Sequence, residues 1–119
     1  MKVIFDKNLV QDDRYTFLEL DTVMQPGLKE PVTLYAVIDD LPLEEIVDLD
    51  SLKVMHQTLI ANYKTGKWDQ IKYNVEPLMG KFRGELDSFY QNIIDFAAES
   101  AKLNKQWDGV RHIVPQEPV

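Results

Sequence analysis

The chain contains no cysteine, which excludes disulfides, thiolate metal sites and cysteine nucleophiles and leaves stability to packing. The same absence fits a reducing compartment. No apolar run approaches the roughly eighteen residues that a membrane span requires, so a soluble protein with no membrane partner is expected. The amino terminus, MKVIFDKNLVQDD, lacks the apolar core and small-residue cleavage site of a secretory signal, and a cytoplasmic location follows. Positive charge is scarce: 13 Lys and Arg stand against 20 Asp and Glu, a net charge of −7 and the wrong sign for gripping a phosphate backbone. Nucleic acid is therefore not an expected partner.

Histidine is also sparse. His56 and His112 are far apart and show neither His-x-x-x-His nor Glu-x-x-His spacing, so no shared metal site is expected and His56, beside Met55, reads as a helix-surface residue. Ser51, Ser88 and Ser100 lack the Gly-x-Ser-x-Gly elbow of a hydrolase nucleophile. Gly80-Lys81-Phe82-Arg83-Gly84 pairs two glycines with two cations but lacks the Gly-Lys-Ser/Thr ending of a phosphate loop. Glu44, Glu45, Asp48 and Asp50 lie near helix starts, where carboxylates favour the positive end of the dipole; a calcium loop would need alternating ligands around a glycine. No catalytic residue, no metal ligand and no cofactor is expected.

At 119 residues with 45% hydrophobic content, the chain suits one globular domain over 1–114, followed by a loose, proline-limited tail over 115–119. Its organising stretch is LIANYKTGKWDQIKYNV, from Leu59 to Val75. Apolar residues fall at Leu52, Met55, Leu59 and Tyr63 before Thr65-Gly66, and at Trp68, Ile71, Val75, Leu78 and Met79 after it. That three-and-four spacing predicts two helices, about 51–64 and 67–79, each with one buried face. Gly66 ends the first, Asp50-Ser51 caps its start, and Pro77 predicts a kink or early end of the second at Glu76.

Upstream, Lys2 to Phe5 predicts an edge strand closed by the polar loop Asp6-Lys7-Asn8. A hairpin spans about 14–38, turning at Gln25-Pro26-Gly27, where proline and glycine suit the central positions of a type II turn. In its first strand Tyr15, Phe17 or Leu18, Leu20 and Val23 compete to face inward; in its second, apolar residues occupy both faces. A short helix over Leu43 to Val47 follows, with Pro42 in its first turn. The clearest helix is the last, about 85–105, where Leu86, Phe89, Tyr90, Ile93, Ile94, Ala97 and Ala101 make one stripe. Beyond it Gln106 to Gly109 predicts a turn and Val110 to Val114 a final strand or an extended segment. The expected class is α+β: a small antiparallel sheet packed with a helical hairpin and a third long helix.

Two of these segments together resemble a known arrangement. FLELDTVMQPGLKEPVTLYAVID resembles the last β-hairpin of class III adenylate cyclase catalytic domains, where a leucine-aspartate-x-valine strand, a glycine turn and a proline-valine-x-x-tyrosine strand recur. Some bacterial cyclases continue with a helical tail, matched here by Tyr63, Gly66, Trp68, Asp87, Ser88 and Trp107-Asp108-Gly109-Val110. In that family the metal-binding aspartates and the transition-state asparagine and arginine lie upstream of the hairpin, for which a chain starting at Met1 has no room; the resemblance implies the non-catalytic end of the fold. YKTGKW is also similar to a tetratricopeptide hairpin, although Ile71 and Lys72 stand where that repeat favours a small alanine. MKVIFDKNLVQDDRYTFLELDTV resembles small uncharacterised proteins of T4-like phages of marine bacteria.

The expected function is a non-enzymatic protein-interaction module, binding a protein partner or a second copy of itself. Trp107, Phe89, Tyr90 and Ile94 are the expected partner-binding residues, through the long helix or the sheet edge. A phage virion component and a nucleotide or small-molecule binder of cyclase-like ancestry are the two other classes compatible with the sequence.

Overall fold

Alternating and three-four apolar patterns, separated by proline and glycine, become strands and helices in that order. The computed structural model describes residues 2–5, 15–103 and 106–112. The loop expected at Asp6-Lys7-Asn8, the end of the segment expected over Val110 to Val114 and the tail over 115–119 lie outside those residues. Strands β1 (Lys2–Ile4), β2 (Thr16–Met24) and β3 (Val32–Ile38) precede helices α1 (Leu43–Val47), α2 (Leu49–Lys64), α3 (Trp68–Val75) and α4 (Asp87–Leu103), and β4 (Arg111–His112) closes the sheet. The sheet order is β1-β3-β2-β4. The architecture is α+β as expected, with antiparallel pairing except for β4, which runs parallel to β2 at Val23 and Met24.

The competition among inward-facing residues of β2 is resolved by a β-bulge. Glu19 pairs with Tyr35 and Asp21 with Leu34, so Leu20 is an extra residue without a partner opposite. Leu18 and Leu20 lie on the buried side before the shift and Val23 after it. Strict alternation would turn Asp21 away from the helices. The bulge instead places it on their side.

The sheet contributes Leu18, Leu20, Ala36 and Ile38 to a core shared with all three long helices. Helix α2 lies against β2, and α3 packs against both α2 and α4. Leu52, Leu59, Ile60, Tyr63, Ile71, Val75, Leu86, Tyr90 and Ile93 form the helical side of that core, each large aliphatic contributing about 1.5–3 kcal/mol when buried. Met79, expected on the buried face, is instead 39% exposed. The cause is local: α3 ends at Val75 and passes into a 3-10 turn over Glu76–Leu78 that contains Pro77, so the α-helical period no longer applies. Helix α2 also begins earlier than expected, at Leu49, and neither Asp50 nor Ser51 caps it.

Two turns hold the helices in place. At the end of α2, Lys67 N–H donates to Asn62 O (2.9 Å) and Gly66 N–H to Tyr63 O (3.3 Å), the paired bonds of a Schellman motif. Gly66 has φ +74, and a Cβ there would sit 3.6 Å from both Trp68 and Trp107. The second turn joins α3 to α4. Phe82 (φ +54) and Arg83 (φ +60) take left-handed conformations that disfavour side chains. The buried carboxylate of Glu45 accepts the Phe82 N–H, and Asp87 Oδ1 accepts the Gly80 N–H at 2.8 Å.

Gly66→Ala is expected to cost about 1 kcal/mol, the left-handed penalty alone. Gly109→Ala should cost more, because Gly109 has φ +82 and an added Cβ would meet the Lys64 carbonyl oxygen at 3.1 Å. Denaturant midpoints of the two variants check the order; equal losses would remove the close approach of the C-terminal segment to α2.

Candidate functional site

Asp21, delivered by the bulge, meets Tyr63 from the last turn of α2 and Arg111 from β4. Tyr63 O–H donates to Asp21 Oδ1 at 2.9 Å, Arg111 Nε donates to the Tyr63 hydroxyl at 2.7 Å, and the same Nε lies 3.1 Å from Asp21 Oδ2. Arg111 Nη2 donates to Asn92 Oδ1 at 2.9 Å, and the guanidinium carbon sits 4.3 Å from the centre of the Phe96 ring. Burial raises the Asp21 carboxyl above its ordinary 3.8, against the opposing pull of the Tyr63 hydroxyl and Arg111. Burial, and then the neighbouring carboxylate, also push the Tyr63 phenol far above its ordinary value.

Beside this cluster Trp107 folds back onto the helices. Its indole N–H donates to the Tyr63 carbonyl, and its ring lies 5.1 Å from Phe96, 5.4 Å from Tyr63 and 5.9 Å from Trp68, centre to centre. An open cleft of about 870 Å³ borders this cluster, lined in part by Ser100, Trp107, Asp108, Arg111 and His112. His112 Nε2 and Asp108 Oδ2 pair at 3.0 Å, which holds the Asp108 carboxyl below its ordinary range. Among the described residues, no hydrogen bond joins Ser100 to His112. Nε and Nη2 of Arg111 are engaged by Tyr63, Asp21 and Asn92. The cluster fastens the C-terminal segment to β2 and α4.

The second polar node is His56, which the structure places in the core at 1% exposure rather than on the helix surface. Its Nε2 lies 2.6 Å from the Glu19 carbonyl oxygen, and its Nδ1 lies 2.9 Å from the Tyr90 hydroxyl. A carbonyl only accepts, so Nε2 carries the proton and Nδ1 accepts from Tyr90 O–H. The neutral tautomer is thereby fixed. Desolvation lowers the His56 pKa below its ordinary 6.5, with the Glu19 carbonyl opposing. No sequence spacing signals this role, because both partners are distant in the chain.

The residues expected to bind a partner do not form one surface. Tyr90 is fully buried, which corrects its assignment to a partner surface, because its hydroxyl and ring belong to the His56 node. Phe89 is half-buried beside it, with ring centres 5.7 Å apart. Ile94 is half-buried and borders a shallow groove with Tyr73 and Met79, while Trp107 lies in the aromatic cluster near Phe96. The apolar stripe of α4 is largely consumed by the core. The Gly80 to Gly84 loop is likewise engaged from within, because Asp87 and Glu45 already take the N–H groups of Gly80 and Phe82.

Exposed apolar surface gathers elsewhere, on the outside of α1 and the first half of α2. Leu43 is 74% exposed, Ile46 52%, Val47 77% and Val54 60%. A length of chain whose inner face already supplies Leu52 and Leu59 thus carries aliphatics outward as well. Sequence reasoning missed this surface. The signal was the spacing of Leu43, Val47 and Val54, four and then seven residues apart, beside the inward-facing Leu52 and Leu59.

No protein-family model matches the chain, and neither the curated proteins nor the solved structures contain a significant match to it. Among the described residues, no helix is long and apolar enough to cross a membrane.

Two outcomes follow from the polar nodes. Tyr63→Phe removes a donor from Asp21 and an acceptor from Arg111, and should cost about 1–3 kcal/mol. It should also raise the Asp21 pKa further, read by carboxyl-carbon NMR titration, since the hydrogen bond that opposes desolvation is gone. For His56, the folded form binds fewer protons than the unfolded one below the ordinary 6.5, so stability is full above that value and falls as pH drops through the folded pKa. Denaturation between about pH 7.5 and about pH 5 should show this slope, and His56→Gln should flatten it. An unchanged slope in the variant would overturn the assignment.

Proposed function

We propose that this protein is a non-catalytic protein-binding module whose contact surface is the outside of α1 and the first half of α2. One observation carries the reading: four aliphatic side chains, Leu43, Ile46, Val47 and Val54, stand more than half exposed between positions 43 and 54. Singly scattered exposed aliphatics need no explanation, but a concentration of them on one outer side marks an interaction surface. Removing each from water is worth about 1.5–3 kcal/mol, released only when something covers it. The polar nodes support the same reading indirectly, since Arg111, His56 and Asp21 are committed to internal hydrogen bonds that hold the fold.

The test is a double substitution, Val47→Glu with Val54→Glu, on exposed positions where folding is not at stake. In extract of the source cells, chemical cross-linking of the unsubstituted protein should give a discrete adduct with another protein. The double variant should lose at least about 90% of it, roughly a tenfold weakening of binding, while its thermal midpoint stays unchanged. An adduct formed equally by both proteins would move the contact surface elsewhere. The absence of any adduct would sink the interaction reading itself.

A further inference from the structure

Resting on the reading of the α1–α2 outside as a protein-binding face, we infer that its occupant is an amphipathic helix with a lysine or arginine at its centre, rather than a second copy of this chain. Exposed positions along this face include Leu43 and Val47 on α1 and Asp50, Val54, Gln57 and Ala61 on α2, the last four spaced by steps of four, three and four. That alternation is the seam along which one helix lies lengthwise on another. The α2 part of it, Asp50 to Ala61, falls within one unbroken helix. Asp48, between the two helices, departs from helical geometry mainly in ψ, with φ −97 and ψ 11.

Asp50 occupies a seam position between Val47 and Val54, where a lengthwise partner would desolvate its carboxylate. Burying a lone carboxylate is costly unless a cation meets it, so the occupant has to supply one. The local chain has the same sign as Asp50, although Lys81, from the loop before α4, lines a pocket with Glu44, Glu45 and Asp48. Residues 39–52 contain Asp39, Asp40, Glu44, Glu45, Asp48 and Asp50 and no lysine or arginine. All of these but Glu45 are exposed. The nearest cation on α2, Lys53, lines the groove toward β2 with Glu19.

A second copy fails this requirement in both orientations. Parallel pairing in register sets Asp50 against Asp50. Antiparallel pairing about the middle of the seam sets Asp50 against Val54 and leaves the carboxylate buried against a hydrocarbon. A net charge of −7 per chain adds repulsion to either arrangement.

The experiment uses the full chain and three synthetic peptides: a helical one with a leucine seam interrupted by a central lysine, the same helix with a central glutamate in its place, and a scrambled peptide of the first one's composition. Fluorescence anisotropy should show saturable binding of the first, and amide shift changes should map to residues 43–61. The glutamate and scrambled peptides should bind at least about tenfold more weakly. Asp50→Lys should reverse the preference between the lysine and glutamate helices, and sedimentation should return a monomer. Equal binding of the scrambled peptide, or an unreversed preference in Asp50→Lys, would overturn the inference. If the glutamate helix binds residues 43–61 as tightly as the lysine helix, selection by charge fails while the protein-binding reading stands. If no helix binds but Val47→Glu with Val54→Glu abolishes the cross-linked adduct, the partner is not a helix, and again only the inference falls.

Discussion

Tyr63 joins three parts of the chain that are far apart in sequence. Its hydroxyl stands between Asp21 of the sheet and Arg111 of the C-terminal segment, and its carbonyl accepts the Trp107 indole N–H. Its ring is fully buried against Phe96 and Trp107. Removing the side chain would leave a buried carboxylate, a guanidinium and a large cavity together, three penalties that do not relax independently. The last turn of α2 is thus fixed to sheet, α4 and C-terminal segment at once. The geometry of everything on α2 depends on that attachment.

The attachment needs the bulge in β2, and the bulge creates a second requirement. Pairing in β2 with β3 occupies one edge of the strand, and β4 covers the other edge only at Val23 and Met24. Glu19, at the shift itself, turns its carbonyl oxygen to within 2.6 Å of His56 Nε2. His56 satisfies it from α2, and Tyr90 from α4 then fixes which imidazole nitrogen carries the proton. A buried polar group is tolerable only when its hydrogen bonds are made. The two nodes therefore hold α2 against β2 at two points, Glu19 and Asp21, on either side of the extra residue Leu20.

What could be read in the sequence was whatever depends on near neighbours. The Gly66 turn, the Pro26-Gly27 hairpin, the end of α3 near Pro77 and the inward stripe of α4 all follow from local period or backbone permission. The bulge was visible only as an unresolved conflict between Phe17 and Leu18, because the residues that Asp21 meets there, Tyr63 and Arg111, are distant in the chain. Burial of His56 and Glu45 was not legible, since each is stabilised by a carbonyl or an N–H contributed from another element. The partner of β4 was illegible for the same reason: Val110 to Val114 read as extended, but nothing local pairs Arg111 and His112 with Val23 and Met24. The motif residues Tyr63, Gly66, Trp68, Trp107 and Gly109, separated in sequence, meet around the end of α2.

The same attachment bears on the exposed face of α2. A helix that must present side chains to a partner loses less entropy on binding when its own position is already fixed. The inner side of α2 is held by Leu52, Leu59 and Tyr63 in the core, by His56 to the sheet and by Trp107 at its end. Helix α1, only five residues long, has its own anchor in the Glu45 carboxylate, which accepts the Phe82 N–H of the loop before α4. Such a short helix has little stability alone. With Glu45 tied inward, Leu43, Ile46 and Val47 are left pointing out. Placement of one acid in the core thus decides which side of α1 is offered to solvent, and it offers the aliphatic one.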